Sequence, residues 1–278
     1  MRVRLGVVTA SSEPSGARIR LRRRASVPRG GGPSRARAQA VLVGENLRAL
    51  LSLLLLVVAG VAAAAAVPAR VEITYRVSVG PLKIGEGRDV LQHDGKTYKV
   101  VSESKTAGIA SIVYPLDLVR QSVGRVTAEG LRPDTFQEMR NGKVKRRVQF
   151  DWEKKQALLY DGRTEQTVPL PERTWDETSF GYNFAFSERE PASQQVNLTD
   201  GRRITLYEYA IVGSEKLKTA IGSVDTVHVQ KLQAPGSKGA FDTWIAPAYY
   251  NLPVKTRIKE RGGTVFDWEV MKIDHSAR

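Results

Sequence analysis

Val71-Glu72-Ile73-Thr74-Tyr75-Arg76-Val77-Ser78-Val79 alternates apolar and polar residues at every step. In an extended chain successive side chains point to opposite faces, so this period of two marks a strand with one buried and one wet face. The same alternation returns further along. Val144, Val148, Phe150 and Trp152 interleave with Lys145, Arg147, Gln149 and Asp151, and Val254, Thr256 and Ile258 with Lys255, Arg257 and Lys259. Ile204–Val212 and Val265–Ile273 carry apolar residues on both faces, which places them mid-sheet or under a helix.

Turn residues punctuate these runs. Asp94-Gly95, Asn141-Gly142, Asp161-Gly162, Asp200-Gly201 and Gly262-Gly263 each separate two strand-like stretches and tolerate the positive φ of tight hairpins. Repeated hairpins without intervening helices specify a meander rather than βαβ units. The fold class expected is mainly β: a curved antiparallel sheet or barrel-like meander of about ten to twelve strands with one central helix. Thr174-Trp175-Asp176-Glu177 reads as a capping box opening that helix, with Thr174 as N-cap. Phe180, Tyr182, Phe184 and Phe186 give it a bulky side before Pro191. Ala107–Tyr114 reads as a shorter helical or irregular crossing. A closed sheet of this size has more interior than its own side chains readily fill. The aromatic helix is therefore either a plug or a lid over an apolar pocket.

Upstream the character changes. Residues 1–46 form a basic leader, and Met1–Arg48 hold eleven Arg against Glu13 and Glu45, so they carry +9 of the formal +14. All twenty aromatic residues lie at or after Tyr75. Without an apolar pattern the leader cannot offset a backbone entropy cost of roughly 1–2 kcal/mol per residue, so disorder is expected. Residues 47–69 hold an apolar run, Leu47 and Ala49–Val67, with Arg48 and further arginines on its N-terminal side and small residues at its end. This describes a secretory signal peptide, cleaved after Ala66 or after Ala69, or else an uncleaved membrane anchor. Both place the remaining domain, 70–278, across the membrane. The leader is long for a signal peptide, and a start at Val41 or Val43 would shorten it.

The chain has no cysteine, which removes disulfides, thiol catalysis, Cys-based zinc sites and a lipidated anchor. No nucleophile elbow, zinc-protease, Walker or dinucleotide motif occurs in it. His93, His228 and His275 share no metal-ligand spacing, and His228 reads as a hydrogen-bonded sheet residue. Catalytic, metal and cofactor sites are therefore all expected to be absent. The candidate ligand-binding residues are aromatic: Phe180, Tyr182, Phe184 and Phe186 of the helix, with Trp244, Tyr249 and Tyr250 around the loop between Pro247 and Pro253. Lys143, Lys145 and Arg147 make a basic patch, which alternation sets on one strand face opposite Val144 and Val148. Anionic head groups or cell-wall polymer would suit it. Export argues against nucleic acid.

Several segments together resemble an exported bacterial family, the domain-of-unknown-function family numbered 3108. They are Gly80-Pro81-Leu82-Lys83-Ile84-Gly85-Glu86, Gly124-Arg125, Gly130-Leu131-Arg132-Pro133 and Phe150-Asp151-Trp152, then the helix opening at Thr174, Ala220-Ile221-Gly222, Trp244-Ile245-Ala246 and Leu252-Pro253-Val254. The resemblance spans Val71–Asp274 in order. It implies a Gram-negative periplasmic setting and a curved, barrel-like β architecture similar to periplasmic lipid carriers, and it supplies no catalytic residues.

The expected function is a periplasmic non-enzymatic protein holding a lipid, another apolar ligand or an envelope partner. Membrane contact is expected only through the N-terminal segment. The alternative is an envelope hydrolase whose spaced carboxylates, acting on polysaccharide or peptidoglycan, meet only in the fold.

Overall fold

The strands run in chain order as a meander. The first half comprises β1 (Arg70–Val79), β2 (Leu82–His93), β3 (Thr97–Thr106), β4 (Asp117–Thr127), β5 (Gly130–Arg140), β6 (Lys143–Asp151), β7 (Gln156–Tyr160) and β8 (Glu165–Pro169). The second comprises β9 (Thr174–Asp176), β10 (Ser193–Thr199), β11 (Ile204–Thr219), β12 (Gly222–Lys231), β13 (Ala240–Ala246), β14 (Leu252–Lys259) and β15 (Val265–Ser276). Helix α1 (Ile109–Val113) crosses between β3 and β4, and α2 (Glu177–Asn183) follows β9. This is a computed structural model, and it describes residues 66–187, 193–232 and 239–276. The leader and all but the last four residues of the export segment lie outside the described residues.

All fifteen strands form one sheet in the order β8-β7-β6-β5-β4-β3-β2-β1-β15-β14-β13-β12-β11-β10-β9. Apart from β9, each half is a run of neighbouring hairpins, and the antiparallel pair β1–β15 joins the halves. Only β9 and β10 run parallel among the described pairs. Laid flat at about 4.8 Å per strand, this sheet would be roughly 67 Å wide. Its outer strands β8 and β9 are nevertheless joined by the four residues 170–173, which reach at most about 16–18 Å when extended. The connection forces the sheet to curl until its edges approach. Side chains rather than a backbone ladder bridge the gap: Gln166 Nε2 donates to Arg202 O at 2.8 Å, Arg146 Nη1 to Asp200 O at 3.0 Å, and Trp175 Nε1 to Leu131 O at 2.6 Å.

Fifteen strands exceed the ten to twelve expected. The excess lies in short elements such as β8, with five residues, and β9, with three, too short to show a period. Thr174 is not the helix cap. It belongs to β9, and Asp176 caps α2. Pro253 lies inside β14, opposite Ile245 at a bulge, rather than before the strand. At Asn141-Gly142 both residues take positive φ, 50° and 74°, as the twist of a two-residue hairpin requires.

The period-two reading of β1 holds as far as Val77, where a bulge against β2 leaves Ser78 buried and Val79 half-buried. Val71, Ile73, Tyr75 and Val77 are buried, while Arg76 on the other face is exposed. Full burial of a side chain such as Ile73 stabilises by about 1.5–3 kcal/mol. Three apolar clusters result. One joins β1–β3 to β13–β15, a second joins α2 to β10–β13, and a third fills the space between β5, β6 and β7.

Candidate functional site

Helix α2 lies in the curl of the sheet. It packs against β3, β4 and β5 on one side and β10 and β14 on the other. Seven residues make too short a helix to persist unaided, so its ends are tied. Asp176 Oδ1 accepts from the backbone N–H of Thr178 (2.9 Å) and Ser179 (2.8 Å), which would otherwise be unpaired at the helix start. Its Oδ2 accepts from Ser179 Oγ at 2.9 Å and from Ser122 Oγ of β4 at 2.6 Å. At the other end Asn183 Oδ1 accepts from Leu131 N at 2.8 Å. Between the two, Tyr182 Oη donates to Asp89 Oδ2 of β2 at 2.6 Å.

The helix aromatics spend their surface on the protein. Phe180, Tyr182 and Phe184 are each only 3% exposed. Phe180 meets Tyr209 at 4.7 Å between centroids and Phe184 at 5.5 Å, while Tyr182 joins the cluster around Ile73 and Leu91. Of the two roles open to this helix, it takes that of a plug. Phe186 is half-buried and stands edge-on to His93 at 4.9 Å. Tyr249 and Tyr250 are likewise half-buried against the first cluster, and Tyr250 meets His275 edge-on. Trp244 is buried beneath the ring of His228, stacked at 4.3 Å. The seven aromatics expected to bind ligand are thus divided between core and rim and do not line one pocket.

Charged groups also occupy the interior. Glu138, fully buried on β5, accepts from Arg120 Nε and Arg140 Nε, each at 2.9 Å, with Arg146 Nε at 3.5 Å. Burial would raise the Glu138 carboxyl, but the three guanidinium groups outweigh it and hold the pKa below the ordinary 4.5. Arg120 continues to Glu177 at 3.5 Å. Asp89 and Asp176 are different. Burial dominates over their hydroxyl and backbone donors and pushes both carboxyls above the usual 3.8. Carboxylates engaged in this way hold the plug to the sheet, and Glu138 and Asp176 present no surface to a substrate.

The basic patch is broken by a β-bulge. β6 carries an extra residue, Lys145, where β5 passes from Glu138 to Met139, and the alternation changes phase there. Arg146 then lies opposite Glu138, while Arg147 bonds Glu165 of β8 at 2.7 Å. Lys143, Lys145 and Arg147 therefore do not share the single face expected.

Among the described residues, two surface clefts stand out. One, of about 210 Å³, lies between the tip of the β11–β12 hairpin (Leu217–Ala220) and Arg76, Lys255, Glu269 and Val270. Glu269 there pairs with both Arg76 (2.6 Å) and Lys255 (3.0 Å). The other, of about 340 Å³, is lined by Arg125, Arg132, Asp134 and the stretch Gln149–Glu153. In it Arg132 lies over the Trp152 ring at 5.3 Å. Sequence reasoning missed both clefts: the walls of the first come from strands far apart in the chain, and those of the second from the consecutive strands β4, β5 and β6. Among the described residues no group of three His, Cys, Asp or Glu is placed to hold a metal ion.

Comparison with known proteins agrees with this architecture. Residues 74–267 match the family DUF3108, described as a protein of unknown function. No curated protein matches the chain. Among solved structures, it is similar to the crystal structure of a beta-barrel-like protein of the domain of unknown function DUF1849 from Brucella abortus. That match has a TM-score of 0.50 and 11% sequence identity, covering 76% of this chain and 100% of that one. At this identity the likeness is one of fold.

Proposed function

Because the chain belongs to the DUF3108 family, whose description assigns no activity, we propose a function from the geometry: an exported, non-enzymatic envelope protein that engages its partner with its outer surface. The filled interior carries this reading. Phe180, Tyr182 and Phe184 occupy the space in which a carrier would hold an acyl chain, and Asp89, Asp176 and Glu138 fasten the plug on several sides. A barrel whose lumen is packed and cross-bonded serves as a rigid body that presents surfaces. The apolar run over 47–69 supports a periplasmic location.

Two measurements test this. Native mass spectrometry of protein purified from envelopes should give the polypeptide mass without a stoichiometric acyl species. Photo-crosslinkers placed in turn at exposed positions in living cells should capture an envelope component from at least one face. A tightly held lipid together with silent surfaces would overturn the proposal.

A further inference from the structure

Beside the β1–β2 turn, the loop carrying α1 forms an apolar apex. Ile109 and Ile112 are 81% exposed, Val113 79%, and Leu82 and Tyr114 64% each. α1 buries none of its residues. A single-turn helix with no packed face has no stability of its own, yet its base is closely clasped. Thr106 N donates to Leu116 O at 3.0 Å, Leu116 N to Thr106 Oγ1 at 2.9 Å, and Thr106 Oγ1 to Tyr114 O at 3.0 Å. Ala107 N donates to Ile84 O, which ties the loop to β2 beside Leu82. The fold thus holds four large aliphatic side chains and a tyrosine out in water by construction. Contiguous exposure of this kind marks a surface that another phase or partner covers.

The surroundings indicate what covers it. Asn141 of the β5–β6 turn bonds Asp117 on both sides, Asn141 N to Asp117 O at 2.7 Å and Asp117 N to Asn141 Oδ1 at 2.8 Å. This brings Lys143 and Lys145 beside the apex. The three segments forming it, 80–86, 105–117 and 140–145, hold five basic residues against two acids. Both acids are already engaged, Glu86 by Lys83 at 2.6 Å and Asp117 by Lys105 at 3.4 Å. Lys143 and Lys145 are exposed and have no ion-pair partner among the described residues. An aliphatic tip with a tyrosine at its base and free lysines behind it matches the layering of an anionic bilayer: hydrocarbon, interface, head groups. The like charge of the fringe disfavours a second copy of the same surface.

Resting on the reading of an outward-facing envelope protein, we propose that the Leu82–Tyr114 apex inserts into an anionic lipid surface, a membrane contact separate from the N-terminal segment. Within the domain, β1 starts beside Val67 and ends at the apex, so Val67 and the apex lie at opposite ends of that strand.

The chain has no cysteine, so single labels report cleanly. The full chain carrying Ile112→Cys with an environment-sensitive fluorophore would be held in phosphatidylcholine nanodiscs and mixed with phosphatidylethanolamine–phosphatidylglycerol vesicles. Exposed Gln195 on β10, as Gln195→Cys, supplies the control. The label at 112 should shift to the blue and the one at 195 should not. Adding Ile109→Asp should weaken the vesicle response by about tenfold or more, since a carboxylate is costly in hydrocarbon. Lys143→Glu with Lys145→Glu should weaken it further at low salt than at high salt. Ile109 is 81% exposed and α1 buries none of its residues, so Ile109→Asp should leave folding intact. Identical behaviour at 112 and 195, or an equal response to pure phosphatidylcholine vesicles, would overturn the proposal. So would a shift that grows with protein concentration alone, which would indicate self-association. A shift produced by soluble envelope proteins but not by vesicles would also overturn it, while leaving the broader reading intact.

Discussion

Ser122 of β4 donates its hydroxyl to Asp176 Oδ2 at 2.6 Å, so a strand from the first half of the sheet holds the cap of the helix that fills it. The same hydroxyl lies 3.0 Å from Tyr98 Oη on β3, which extends the contact to a neighbouring strand. One carboxylate thereby organises the helix start, two strands and the closure beside β9.

Asp176→Ala removes the cap and leaves two buried hydroxyls without their acceptor, so it should destabilise the domain by about 2–4 kcal/mol. Asp176→Asn keeps an acceptor for the backbone and should cost about 1 kcal/mol or less at acidic pH. Urea unfolding separates the two, as a lower midpoint at unchanged slope. Equal losses would refute the capping account. The pH dependence has a definite sign. Burial raises the Asp176 pKa above 3.8, so its contribution is full below that value and is lost as pH rises through the folded pKa. As pH rises from about 4 through the folded pKa, Asp176→Asn should therefore gain on the wild type.

Glu138 behaves oppositely. Its carboxylate neutralises Arg120, Arg140 and Arg146, and Glu138→Gln should cost about 2–4 kcal/mol at neutral pH because the guanidinium groups stay behind. The lowered pKa means this contribution is present above 4.5 and lost as pH falls through the folded value. The gap between wild type and variant should narrow on acidification, and a constant gap across the titration would argue against charge pairing as its source.

Gly130 has φ of 105°, and a Cβ there would collide with the Asn183 carboxamide that caps Leu131 N. Gly130→Ala should cost more than about 2 kcal/mol, combining backbone strain with displacement of the plug's C-terminal tie. Gly142 also has positive φ, 74°, but faces open space. Gly142→Ala should therefore show only the backbone cost of about 1–2 kcal/mol. Thermal unfolding of both variants distinguishes collision from strain.

The domain holds the residues just after the apolar run. His93 Nε2 lies 3.1 Å from the carbonyl oxygens of both Val67 and Pro68, His93 N donates to Ala69 O at 2.9 Å, and Val67 packs against the core. Cleavage after Ala69 would remove these contacts, whereas cleavage after Ala66 keeps them. If a signal is cleaved, intact-mass analysis should find Val67 as the first residue, and an Arg70 start would contradict the structural preference. His93→Ala should lower stability by about 1 kcal/mol.

What was legible in the sequence was local. The alternation in β1 and the Asn141-Gly142 turn depend on neighbouring residues, and each produced the element its chemistry dictates. Misreadings arose where two parts of the chain compete for one residue. Thr174 and Asp176 both suit a helix cap, and the hydroxyl of Ser122, distant in sequence, accompanies the choice of Asp176. Lys145 alternates correctly in sequence, but β5 on its partner side supplies one residue fewer and the bulge shifts the face. The aliphatic residues of α1 resemble core in one dimension, because nothing local states that no partner strand covers them.

Period and turn chemistry are properties of a few adjacent residues, and they suffice to make residues 70 onward a series of β hairpins interrupted by one aromatic helix. The pairing of β1 with β15, the approach of β8 and β9 across four residues, and the closure of α2 inside as a plug are written in no local stretch. Those outcomes rest on contacts between residues as far apart as Asp89 and Tyr182, and packing around them settles which surfaces, the α1 apex among them, remain outside.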